Sequence, residues 1–163
     1  TLTAALATIK ENNDIQFIWQ TGKYYYPQVT EAVRAAGELP NLYVTDFIKD
    51  MAAAYAASDL VISRAGAGSI SEFCLLHKPV VLVPSPNVAE DHQTKNALAL
   101  VDKQAAIYVK DSEAEAKLMD VALNTVADDR KLKELSENIA KLALPDSARI
   151  IAQEVIKLAE AEN

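Results

Sequence analysis

The residues with the most chemistry to offer lie in Leu60-Val-Ile-Ser-Arg-Ala-Gly-Ala-Gly-Ser-Ile-Ser-Glu72. An apolar run ends at Arg64, glycines follow at positions 66 and 68, and Ser69 to Glu72 begin a helical stretch. Gly66 and Gly68 have no Cβ, so the backbone is free to turn sharply and to come close to a ligand. A helix starting there aims unpaired N–H groups and the positive end of its dipole at the turn, a setting that suits phosphate. Arg64 can pair with a phosphate bidentately, or it can cap a strand end as an ordinary surface arginine. Glu72, one turn into the helix, can accept from the two hydroxyls of a ribose. Phosphate and ribose together point to a nucleotide sugar. The same spacing, S-x-x-E from Ser69 to Glu72, also fits a capping box that serves only the helix.

His92 and Gln93 open a second helix after Pro84-Ser-Pro-Asn-Val-Ala-Glu-Asp91. Imidazole and amide groups there can hydrogen-bond sugar hydroxyls. Alternatively they form a solvated first turn with Asp91 as its N-cap. Asn96, one turn further, is placed to fix the loop. His77 sits at a helix end, where the dipole favours a partly protonated imidazole, and is assigned no chemistry. The two histidines lack cysteine or acidic partners at ligand spacing, so no metal site is expected. There is no G-x-S-x-G elbow, and Cys74, among Phe73, Leu75 and Leu76, reads as a small core residue. No catalytic residue and no cofactor are therefore expected on this chain.

These residues need elements to hold them. Helical spacing of Leu2, Ala5, Leu6 and Ile9 opens the chain, and β-rich Ile15–Gln20 follows. Tyr24 to Ala36 reads as helix with Gly37 as its stop. Leu42–Val44 is a strand, Met51–Ala57 an alanine-rich helix and Leu60–Ser63 a third strand. Helix is expected over Ser69–His77, strand over Val80–Val83, helix over Asp91–Asp102 and strand over Ala106–Val109. Glu113–Val126, Asp129–Leu142 and Ser147–Glu160 are amphipathic helices. Strands that alternate with helix-length crossovers predict a parallel sheet covered on both faces, with ligands beyond the strands' carboxyl ends. The loops after Val44, Ser63 and Val83 should then converge on one edge.

A chain of 163 residues makes one domain with a sizeable core. Its apolar runs are far too short to span a bilayer, and no signal peptide is visible. A net charge of −7 argues against nucleic acid and against anionic lipid as partners. One cysteine excludes an internal disulfide and fits a reducing, cytoplasmic compartment. The chain begins at Thr1 rather than Met, within an apparent helix, as expected of a piece of something longer.

Taken in order, four segments resemble the carboxy-terminal half of the MurG family. They are Val44 to Tyr55, Ala57 to Glu72, Lys78-Pro-Val-Val-Leu-Val-Pro84 and Asp91-His-Gln-Thr-Lys-Asn-Ala97. The resemblance implies an α/β fold, a Rossmann-like parallel sheet with helices on both faces, forming the carboxy-terminal half of a GT-B glycosyltransferase. It implies that residues 1–163 are a UDP-GlcNAc-binding domain, and that the amino-terminal acceptor domain, the general base and a glycine-rich diphosphate loop lie before Thr1. By position, Ile48 backbone with Phe47 beside it would recognise uracil. Ala67, Gly68 and Ser69 would meet phosphates and sugar at the helix N-terminus, Glu72 the ribose, and Gln93 the GlcNAc hydroxyls. Many members carry a bulkier residue at the place of Gly68 and glutamine at that of His92. The implied reaction is inverting transfer of GlcNAc to a lipid-linked muramyl-pentapeptide at the cytoplasmic membrane face in peptidoglycan synthesis, without a bound metal. This half would touch no membrane itself. Other functions compatible with the residues are a stand-alone UDP-sugar-binding subunit and a UDP-GlcNAc 2-epimerase-like enzyme.

Overall fold

Each apolar run that predicts a strand forms one, and all pair in parallel. The computed structural model describes residues 5–87 and 91–161. Its strands are β1 (Phe17–Gln20), β2 (Leu42–Thr45), β3 (Val61–Ser63), β4 (Val80–Leu82) and β5 (Ile107–Tyr108). Between and after them come α1 (Leu6–Glu11), α2 (Tyr26–Ala36), α3 (Met51–Ala57), α4 (Ala67–Leu76) and α5 (His92–Val101). A 3-10 turn at Asp111–Glu113 leads into α6 (Ala114–Val126), then α7 (Asp129–Ala140) and α8 (Ser147–Ala161). The helix expected from Leu2 lies partly outside the described residues.

Local chemistry sets these limits. Asp50 Oδ1 accepts from Ala53 N at 2.9 Å and starts α3; Asp128 Oδ1 accepts from Lys131 N at 3.0 Å and starts α7. Helix α2 ends at Gly37 with φ of 90°, where the left-handed backbone favours glycine.

The centre of the molecule is β4, whose three residues are fully buried. Val61, Ile62 and Ser63 align beside it as Val80, Val81 and Leu82, and β5 flanks its other edge. Val80 and Leu82 pack on Phe73 of α4, Leu100 of α5 and Ile139 of α7. Val81 points the other way, toward Ala114 and Leu118 of α6. Helices thus cover both faces here, as a near-continuous apolar strand requires.

The sheet departs from expectation in two respects. Hydrogen bonding divides it into β1–β2 and β3–β4–β5. Side-chain packing joins the two pieces instead: on α6, Leu118 belongs to the cluster around Val81, while the next residue, Met119, packs with Leu6 and Ile9 of α1 and with Trp19. Nor is β1–β2 covered on both faces. Phe17 and Trp19 turn inward, whereas Ile18 and its partner Tyr43 are 49% and 63% exposed. Helix α8 likewise exposes Ile150, Ile151, Val155, Ile156 and Leu158.

Strand β1 starts two residues later than the sequence indicates, because Asn41 fastens the preceding turn. Its buried Nδ2 donates to Ile9 O (2.9 Å), Asn12 O (2.9 Å) and Ile15 O (3.1 Å). Asn41→Ala removes these side-chain bonds and should destabilise the fold by about 1–3 kcal/mol. The lowered urea midpoint at unchanged slope will measure it.

Candidate functional site

The loops at the carboxyl ends of β3 and β4 are laced together by side chains of α5. Gln93 Oε1 accepts from Ala65 N at 3.2 Å and from Ser85 N at 2.9 Å. Asn96 Nδ2 donates to Ala65 O at 3.1 Å. Both backbone groups of fully buried Ala65 are thereby satisfied from one helix. The role read for Asn96, fixing the loop, is what the geometry has it do. Arg64 adds a further tie: its guanidinium donates to Val83 O (3.1 Å), to Pro84 O (3.3 Å) and to the Asp111 carboxylate. A strand-end brace was one of its two possible readings.

Helix α4 begins two residues earlier than expected, with Gly66 at the N-cap. The amides of Ala67, Gly68 and Ser69 precede the first intrahelical bond, from Ile70 N to Gly66 O at 3.0 Å. They face outward at the positive end of the dipole, a place for an anion. This register also rules out the capping box, because Ser69 lies inside the helix rather than at its N-cap. The glycines need correction too. Gly66 has φ of −68° and ψ of 141°, which any residue adopts, so the sharp turn does not demand glycine. A Cβ at Gly66 or Gly68 would meet no protein atom within 4 Å. A side chain at either position would stand in open space.

Glu72 is exposed, and its Oε2 accepts from the Tyr55 hydroxyl at 3.0 Å. Burial, then the hydrogen bond and charge of Glu72, push the Tyr55 hydroxyl up from 10.0 to about 12. Tyr55 stands edge-on to Phe73, with centroids 5.9 Å apart and planes at 89°. It lines a groove between α3 and α4 together with Met51, Glu72 and Leu76.

The loop after β2 is held differently. Ile48 N donates to Gln20 Oε1 at 2.8 Å, and the Thr45 hydroxyl donates to Phe47 O at 3.1 Å. The Phe47 ring is 61% exposed. The three loops therefore do not meet as equals: two are bonded directly, and the third reaches them through α3 and Tyr55. His92 and Gln93 do open α5, but Asp91 at its N-cap has a left-handed φ of 55° and makes no side-chain capping bond. Among the described residues no group of three or more His, Cys, Asp or Glu could hold a metal ion.

Sequence reasoning missed Gln20 and Tyr55. Gln20 ends a strand on the ligand-bearing edge of a parallel sheet, and that position alone could have flagged it. Tyr55, a lone aromatic in Met-Ala-Ala-Ala-Tyr-Ala-Ala, carried no signal for its partner seventeen residues away.

The family model described as the glycosyltransferase family 28 C-terminal domain matches residues 2–151. Over 160 residues, 98% of this chain, 79% are identical to a Bacteroides fragilis protein named UDP-N-acetylglucosamine–N-acetylmuramyl-(pentapeptide) pyrophosphoryl-undecaprenol N-acetylglucosamine transferase. A Phocaeicola vulgatus protein of the same name is 70% identical over 145 residues, 89% of this chain. The chain spans 42% and 39% of their lengths. The crystal structure of Acinetobacter baumannii MurG superposes with a TM-score of 0.78 at 26% identity, covering 94% of this chain and 46% of that one. The fold is accordingly the carboxy-terminal, Rossmann-like half of a GT-B glycosyltransferase.

Two measurements check the site. Gln93→Leu should speed amide exchange at Ala65 and Ser85 about tenfold, the effect of losing one modest hydrogen-bond acceptor. The Tyr55 titration has a definite sign. Unfolded, the tyrosine releases its proton near 10.0; folded, it holds on to about 12. Its contribution to stability is intact below pH 10 and is lost as pH rises toward 12. Phenolate absorbance, compared with Tyr55→Phe, should show Tyr55 titrating late, moved down in Glu72→Ala only part of the way, since burial is the larger cause.

Proposed function

Because the chain belongs to the glycosyltransferase family 28 C-terminal domains, we propose that it is the donor-binding part of a peptidoglycan glycosyltransferase. The reaction is transfer of N-acetylglucosamine from UDP-GlcNAc to a muramyl-(pentapeptide) pyrophosphoryl-undecaprenol acceptor. The observation that carries this reading is the 79% identity across 98% of the chain to a protein named for that transfer.

The geometry supports a division of labour within the site. Uracil binds along the loop after β2, with Phe47 beside it. The Ile48 amide already donates to an amide carbonyl, that of Gln20. A uracil carbonyl is an acceptor of the same kind, so binding exchanges one for the other. The ribose hydroxyls donate to Glu72. The diphosphate lies over the amides of Ala67, Gly68 and Ser69, in the space left by Gly66 and Gly68. As the glycosidic bond breaks, negative charge grows on the departing UDP, and those amides and the α4 dipole stabilise it without a metal. Gln93 uses its carbonyl oxygen on the loops, so its amide nitrogen is what remains to donate to GlcNAc oxygens, with His92 adjacent. Arg64 keeps its positive charge near the diphosphate while bracing the β4 loop.

The acceptor site and the base that deprotonates the attacking hydroxyl belong to the remainder of the longer protein. That remainder also makes the contact with the cytoplasmic membrane face. Supporting this division, no helix among the described residues is long and apolar enough to cross a membrane, and the net charge is −7.

A chimera joining the amino-terminal portion of the Bacteroides fragilis protein to this chain should transfer GlcNAc from UDP-GlcNAc to the lipid acceptor. This chain alone should transfer none, yet bind UDP in preference to ADP. A folded chimera without transfer would overturn the activity, and equal binding of UDP and ADP would overturn the uracil site.

A further inference from the structure

Glu72 is a flexible, exposed side chain, yet its carboxylate is held in one place from behind. Tyr55 on α3 donates its hydroxyl to Oε2 at 3.0 Å. Tyr55 is itself set edge-on against Phe73, which is 1% exposed and belongs to the main core. A chain of contacts thus runs from the core through one aromatic ring to a surface carboxylate. We propose that Tyr55 is a positioning residue that orients Glu72 for two neighbouring hydroxyls of the donor's ribose.

The reasoning rests on the ribose role proposed for Glu72. A carboxylate has about four lone-pair sites on two oxygens. One tyrosine hydroxyl fills one of them on Oε2 and leaves the others to accept. Two vicinal hydroxyls require the carboxylate plane at a set angle, whereas an unrestrained glutamate must give up rotamer freedom on binding. Tyr55 has fewer rotatable bonds and is already packed, so the orientation is settled before the ligand arrives. The loop after β2, proposed to read the base, leads directly into α3. Tyr55 therefore couples the helix that follows the base-binding loop to the helix that carries the ribose acceptor.

The test compares UDP with 2′-deoxy-UDP on the full chain, by titration followed in NMR spectra. Tyr55→Phe keeps the ring on Phe73 and removes only the hydroxyl, and an unchanged far-UV spectrum with cooperative melting will verify the fold. The UDP dissociation constant should rise about fivefold, the scale of one hydrogen bond, while that of 2′-deoxy-UDP changes far less. A purely structural tyrosine would weaken both nucleotides alike. Glu72→Ala should abolish the discrimination, and adding Tyr55→Phe to it should change nothing more. If Glu72→Ala loses the discrimination but Tyr55→Phe retains it in full, the positioning role is overturned and the ribose role stands. If Glu72→Ala itself retains the discrimination, the ribose role fails and this inference with it.

Discussion

Ala65 is fully buried, and its N–H and C=O are both bonded to side chains of α5. An unpaired buried amide or carbonyl is expensive, so Gln93 and Asn96 stabilise the path of the segment between β3 and α4. Everything proposed to meet the diphosphate depends on that path. The open amides of α4 begin two residues later, and their direction follows from where Ala65 is fastened. The same contact occupies the Gln93 carbonyl oxygen, which leaves its amide nitrogen for the proposed ligand. One residue therefore holds the loop and, by doing so, fixes its own donor.

Charge is used sparingly around this turn. Arg64 is the obvious cation, but its guanidinium spans the β4 loop and Asp111, and the pair is substantially exposed. Exposed pairs are worth little in stability. Their value here is geometric: Arg64 ties together the loops after β3 and β4 and the turn after β5. In the proposed site the attraction for an anion comes from the backbone of α4, whose amides need no side chain to act.

Packing on α6 has a comparable organising effect at larger scale. Adjacent residues Leu118 and Met119 enter different clusters, and this joins two sheets that share no ladder. The bare face of β1–β2 and the exposed apolar residues of α8 belong to a chain that spans 42% of the Bacteroides fragilis relative's length. Exposed apolar area of this extent on one helix and one sheet face is uncommon on isolated monomers.

Strand and helix order was legible in the sequence because burial imposes a period on it. The Val80–Leu82 run has no polar residue since helices cover both its faces, and Met51–Ala57 is rich in alanine, the strongest helix former. The Gly66 turn, Glu72 and Gln93 stood out as candidates for a similar reason: glycines after a strand, and an acid and an amide in the helices that follow the strands, are local signals. What the sequence could not tell was how those groups are occupied. Whether Ser69 caps α4 turns on a two-residue shift in the helix start, which neighbouring loops decide. Arg64 braces a loop because Val83 O and Asp111 lie within its reach. Tyr55 meets Glu72, and Gln20 meets Ile48, only because parallel strands bring their carboxyl ends to one edge. Hydrogen bonds between residues far apart in the chain leave no period in it, so only the tertiary structure determines them.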